Sequence, residues 1–223
     1  MRILAFDCAG AQCSAALAID SEAVLVENIP AERGHAQILL PLLQKMLAEA
    51  GLGFDDIDRF AVTTGPGSFT GIRVALAGAR GLALGTGKPV IGVTVFETLA
   101  AQALRRGIAA PRLLIAIESR RDALFVQWFD AAGRSLTDPQ MLSPAEAGAG
   151  AGPEPEPVAL AGDAAWRVAP HVRQIAADAI IPGAWIASVD PAILAILAAE
   201  RPAGASPAPF YIRAADAQPN PAR

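Results

Sequence analysis

The chain has 223 residues, is 53% hydrophobic and carries a formal net charge of −4; its mean hydropathy is +0.37, enough apolar material for one core or two small ones. Residues 1–105 hold 8 basic and 10 acidic side chains and the remainder 10 and 12, so no basic stripe marks a surface for nucleic acid bound by this chain alone. No apolar run approaches the ~20 residues of a membrane span, the start Met1 to Asp7 is too soon interrupted for a signal peptide, and Cys8 and Cys13 make no disulfide framework; a soluble cytoplasmic chain with free thiols is expected.

Residues 2–7 read as a buried strand ending at Asp7. A turn of small residues, Cys8 to Gln12, leads to a strand over 13–19, and Asp20-Ser21-Glu22 to another over 23–29, an antiparallel meander. An Asp at the end of a strand facing small residues can hold a metal-bound phosphate, or can cap the turn through its own side chain, the commoner use. A helix from His35 to Ala50 is closed by Gly51. Ile38, Leu39, Leu42, Leu43, Met46, Leu47 and Ala50 give it an apolar face that Leu40 widens, which suits either burial in its own domain or contact with another subunit. His35 reads as a polar surface residue; a metal pair needs a second His about one turn on, and position 39 is Leu.

The central stretch is Thr63-Thr64-Gly65-Pro66-Gly67-Ser68-Phe69-Thr70-Gly71-Ile72-Arg73, which follows a strand at 59–64 and opens a long helix, 70–87. Gly65 and Gly67 allow positive φ on either side of Pro66, and Ser68 or Thr70 can cap the helix. Such a loop is a structural turn or, with N–H groups at a helix start, an anion cradle. Gly71, Val74, Ala75, Gly78, Gly81 and Gly85 fall within roughly a third of the helix circumference. Each Gly in a helix costs about 1 kcal/mol relative to Ala, so the stripe implies close approach of another helix.

A strand at 90–93 and a helix through Arg106, with Thr94 and Glu97 in capping-box spacing, complete this half. From Pro111 the pattern restarts: strands at 112–117 and 123–129, a low-complexity and mobile stretch at 145–157, a strand at 158–160, a helix through Ala169, a strand over Arg173 to Ala177, and a helix from Asp190-Pro191 to Glu200. Phe210-Tyr211-Ile212-Arg213, in a Pro- and Ala-rich tail, can pack back on the domain. A meander followed by alternating helices and strands, then its partial repeat, implies two α/β domains side by side. No Ser-His-Asp, Cys-His or zinc-spaced set can be assembled from these residues.

The segment Thr64 to Arg73 resembles the signature of the TsaB (YeaZ) family. The likeness extends to Asp7 with Cys13-Ser14-Ala15-Ala16, His35 followed by Leu39-Leu40-Pro41-Leu42-Leu43, Pro89 to Val93, Arg120-Arg121-Asp122 and Phe210 to Arg213, densely over 1–130 and thinly beyond. It implies two actin-like (ASKHA, ribonuclease-H-like) domains, 1–106 and 107–213, with a flexible tail at 214–223. It also implies a non-catalytic subunit of the complex that attaches threonylcarbamoyl to the adenosine next to the anticodon of ANN-decoding tRNAs. Such a subunit pairs with the catalytic relative TsaD, is joined by the ATPase TsaE, forms a homodimer when alone and meets tRNA only through the complex. The matching partner surface is His35, Leu39, Leu42 and Met46 on one helix and Gly71, Val74, Ala75, Gly78, Gly81 and Leu82 on the other. Asp7, Gly65, Gly67 and Ser68 are the candidate nucleotide residues, with no cofactor held by the chain alone and ATP or ADP with Mg placed at the partner interface. Leu39 argues against the metal site of TsaD-like relatives, and Cys8 and Ala9, where many relatives carry hydroxyls, weaken phosphate binding. The alternative class is a nucleotide-dependent phosphotransferase of the actin-like superfamily, with Asp7 on metal and the 65–68 loop on phosphate. A metallopeptidase would need ligands the chain lacks.

Overall fold

The structure, a computed structural model, describes residues 1–108, 110–151, 156–175, 180–181 and 186–212. Among them two five-stranded sheets share one internal order. The first holds β1 (Arg2–Asp7), β2 (Gln12–Ile19), β3 (Glu22–Pro30), β4 (Arg59–Thr63) and β5 (Val90–Val93) in the order β3-β2-β1-β4-β5. The second holds β6 (Arg112–Ile117), β7 (Leu124–Asp130), β8 (Gln140–Leu142), β9 (Val158–Ala161) and β10 (Ile180–Ile181) in the order β10-β9-β6-β7-β8. Each opens with an antiparallel meander and adds two parallel strands on the other side of its first strand. The repeat read from the sequence is therefore a repeat of topology.

The helices are α1 (His35–Glu49), α2 (Phe69–Thr86), α3 (Val95–Arg105), α4 (Pro144–Ala149), α5 (Ala165–Ile175) and α6 (Pro191–Ala199). β1 is central and buried on both faces, which is why it reads as a nearly continuous apolar run. Its residues alternate between two cores. Leu4 and Phe6 join Leu17, Phe60 and Val62 with buried residues of α1 and α2. Ile3 and Ala5 join Ala18, Ala61, Ile91 and Val93 beneath Leu194, Ala195 and Ala198 of α6. Small side chains on both surfaces bring α6 close to the sheet.

Several expectations need correction. The helix at 191–199, read as part of the second domain, covers the first sheet instead. The stretch read as mobile from 145 begins as α4, capped by the Ser143 hydroxyl on the Glu146 N–H and held by Ala147 in the second core. The helix read as ending at Ala169 continues through Pro170 to Ile175, so 173–175 are helical, not a strand. Burial of Ala165, Val168, Ala169 and Val172 against the second sheet outweighs the hydrogen bond that the proline removes. Residues 152–155 of the low-complexity stretch, 176–177 of the expected strand, Arg213 and the tail 214–223 lie outside the described residues. The Phe210 segment does pack back: the Phe210 N–H donates to the Thr64 carbonyl at 2.8 Å, and Phe210 and Ile212 lie against the main core.

Candidate functional site

The central stretch forms a strand–loop–helix as expected. Ser68 caps α2, its hydroxyl accepting from the Gly71 N–H at 3.2 Å, and Gly87, at φ +71°, closes the helix with its N–H on the Ala83 carbonyl at 2.8 Å. The loop is pressed against the β1–β2 turn. The Ser68 N–H donates to the Ala9 carbonyl at 2.7 Å. A Cβ at Gly67, where φ is +153°, would collide with that carbonyl, so only Gly allows the approach. The loop thus turns toward its own chain a donor that an anion cradle would aim at phosphate.

Asp7 is buried at the end of β1. Its Oδ1 accepts from the Thr63 hydroxyl and, at 3.0 Å, from the Ala9 N–H, which is the turn-capping use. Burial pushes its carboxyl above the usual range, while the Thr63 hydroxyl, the Ala9 N–H and the charge of His35 pull it back. His35, expected on the surface, is buried, close enough to Asp7 for its charge to act on that carboxyl. Its Nε2 and the hydroxyl of Ser14, opposite Asp7 in the β1–β2 ladder, have no hydrogen-bond partner among the described residues. Cys8 and Cys13 face each other across the same turn, Sγ to Sγ 3.5 Å, both buried thiols. Among the described residues no three His, Cys, Asp or Glu side chains are grouped to hold a metal ion.

The expected partner surface divides in two. His35, Leu39, Leu42, Met46, Gly71 and Ala75, expected on the partner surface, are buried within the chain. A Cβ at Gly71 would run into the Cys8 carbonyl, and one at Gly78 would lie 3.2 Å from Cδ2 of Leu39. The N-terminal half of the glycine stripe therefore serves close packing inside the chain. Val74 and Leu82 are half-buried against the main core. Toward the C-terminus the stripe opens: Gly81 and Gly85 are exposed, with nothing within 4 Å of an added Cβ. Beside them Leu84 is 89% exposed and, on α1, Leu40 is 45% exposed. Leu84 was missed because apolar periodicity alone does not show which turn of a helix runs past its neighbours. Its place three residues after Gly81 was the available signal.

The second feature is a cleft of about 570 Å³ between the start of α2 and the β6–β7 turn, lined by Phe69, Arg73, Glu118, Arg120 and Tyr211 among others. No helix among the described residues is long and apolar enough to cross a membrane.

Residues 29–181 match the family model described as TsaD, tRNA N6-adenosine threonylcarbamoyltransferase. The chain is 42% identical over 126 residues to the tRNA threonylcarbamoyladenosine biosynthesis protein TsaB of Escherichia coli, covering 56% of this chain and 53% of that one. It is 32% identical over 163 residues to the protein of the same name from Haemophilus influenzae, covering 66% of each. The matched region thus spans about half to two-thirds of these relatives. A crystal structure from Pseudomonas aeruginosa, described as an uncharacterized protein with similarity to peptidase YEAZ, superposes with a TM-score of 0.78 at 28% identity, over 95% of this chain and 99% of that one. With a matched family model over most of its length, these relatives and two sheets of one repeated order, the chain belongs to the TsaD family, on its TsaB (YeaZ) side.

Proposed function

We propose that this chain is the non-catalytic TsaB-type subunit of a cytoplasmic tRNA threonylcarbamoyladenosine complex, docking a TsaD-type partner through the outward face of α2 and the adjoining edge of α1. A TsaE-type ATPase joins that pair, tRNA is modified on the partner, and two copies of the chain meet through the same face when the partner is absent. The observation that carries the reading is the open small-residue stripe at Gly81 and Gly85 beside the 89%-exposed Leu84. A helix can approach glycines closely, and a leucine left in water on a packed domain favours association. The names of the relatives supply the process, and the capped, inward-facing Asp7 supports a role without chemistry of its own. ATP or ADP with Mg, if used, enters at the partner face; the isolated chain is expected to give no heat with ATP and Mg²⁺ in calorimetry.

Co-expression with the TsaD-type protein of the same organism tests the docking. Gly81→Leu and Leu84→Glu should each abolish co-purification while leaving the melting curve of the isolated chain in place. Undiminished recovery of the partner with both variants overturns the assignment. Gly78→Leu is a poorer test, because Gly78 packs against Leu39 of the same chain. Asp7, Gly67 and Ser68 do line one small cleft of about 130 Å³, but Asp7 and Ser68 are both engaged within the fold, so the geometry supports the phosphotransferase reading less well.

A further inference from the structure

The cleft between the two sheets lies away from the docking face and differs in character from the rest of the molecule. The chain is acidic, with a net charge of −4. Yet among the described residues Arg73 and Arg120 line the cleft with one acid, Glu118. That acid is compensated from behind: Arg167 Nη1 donates to both its carboxylate oxygens at 3.0 Å, and the Arg120 N–H donates to Oε1 at 3.0 Å. The walls are thus positive, and low-dielectric walls focus that field on what enters. The 18-residue helix α2 points its N-terminus into the same space.

The cleft also carries aromatic faces. Phe69 and Tyr211 remain 50% and 42% exposed, their ring centroids 5.6 Å apart and tilted by 30°. The Arg73 guanidinium sits 3.6 Å over the Phe69 ring, and its Nε donates to the Tyr211 hydroxyl at 3.1 Å. These contacts fix both rings before any ligand arrives. Fixed exposed rings beside cationic groups match a base and its phosphate, the pairing used in single-strand recognition. A site for a free mononucleotide would enclose most of its ligand. This cleft is about half open to solvent, which suits a strand that continues beyond it. Charge counts along the chain could not reveal it, because the cationic and aromatic groups come from α2, the β6–β7 turn and the returning segment near 211.

We propose that this cleft binds a nucleotide of single-stranded RNA, its base on Tyr211 at the edge of the Phe69–Arg73 stack and its phosphate against Arg120. The choice of RNA rests on the tRNA-modification reading above. It adds a direct RNA contact by this subunit to the indirect one expected from the resemblance.

The test is fluorescence anisotropy of the full chain with a labelled single-stranded RNA of roughly seven nucleotides, a length near one strand-binding site, with AMP as a separate titrant. RNA should bind, more weakly as salt rises. Tyr211→Ala and Arg120→Glu should each weaken it by about tenfold, Tyr211→Phe should restore most of the loss, and AMP alone should bind far more weakly. Leu84→Glu should leave RNA binding unchanged. No RNA binding by the native chain, binding indifferent to both Tyr211→Ala and Arg120→Glu, or binding of AMP without RNA would each overturn the proposal. Partner co-purification separates the two readings: Tyr211→Ala should lose RNA and keep the partner, and Leu84→Glu the reverse.

Discussion

At the scale of single residues, the β1–β2 turn concentrates polar groups that water does not reach. Asp7 is the clearest case. Burial raises its carboxyl pKa above the ordinary value despite the Thr63 and Ala9 hydrogen bonds. The folded chain therefore keeps this proton where the unfolded chain has released it. Its contribution to stability is complete in acid and falls as pH rises through the folded pKa. Asp7→Asn keeps the Oδ1 acceptor and carries no charge, so its urea midpoint should gain on the native chain as pH rises from acid toward neutral. Parallel pH profiles would contradict this. Gly71 gives a steric counterpart. Its added methyl group would meet the Cys8 carbonyl, and Gly71→Ala should lose about 1–3 kcal/mol or more in urea unfolding, the cost of overpacking a filled site.

At the scale of elements, α2 uses one sequence pattern for two purposes. Its first half is close-packed on Cys8 and Leu39, while in its last turns Leu82 and Ala83 still pack on the core and the face at Gly81 and Gly85 is open. An 18-residue helix is about 27 Å long at 1.5 Å per residue, and at Gly81 nothing lies within 4 Å of an added Cβ. Gly81→Ala should therefore stabilise the isolated chain by about 0.5–1 kcal/mol, the helix-propensity gain at an uncrowded site. A lower thermal midpoint would mean that the site is crowded after all. The same methyl group should loosen a docked partner, separating fold from assembly at one position.

For the whole molecule, the first sheet needs chain from both ends of the sequence. α6 lies across β1 and β2, far from them in sequence, and Leu194 is fully buried among Ile3, Ala5 and Ala61. Arg201 extends this clasp, donating to the Gly92 carbonyl at 2.8 Å and to Glu97 Oε1 at 2.6 Å. Leu194→Ala should cost about 2–5 kcal/mol as a core truncation, and the loss should appear in protection of β1 and β2 amides in hydrogen exchange. If only the second sheet lost protection, α6 would not be a structural part of the first. The proposed docking face and the proposed RNA cleft both start from α2, one at its outward C-terminal turns and one at its N-terminus, so a partner and a strand can be held at once.

The sequence by itself determined the first meander, the hairpin at 112–130, the strand–loop–helix at 59–87 and the Thr94 cap, because each rests on contacts within a few residues; it left Ser68 and Thr70 open as the cap of α2 and missed the short strands β8 and β10 that complete the second sheet. The resemblance carried by Thr64 to Arg73 named the family. Only the tertiary structure decided which side of each pattern faces inward. It buried His35, Leu39, Leu42 and Met46, left Leu84 in water, drew α5 through Pro170 and carried α6 back to the first sheet. Periodicity states that a helix has two faces, but which of them is covered depends on segments distant in the chain. The same holds for the cleft, where Arg73, Arg120 and Tyr211 become neighbours only when the two halves close on each other.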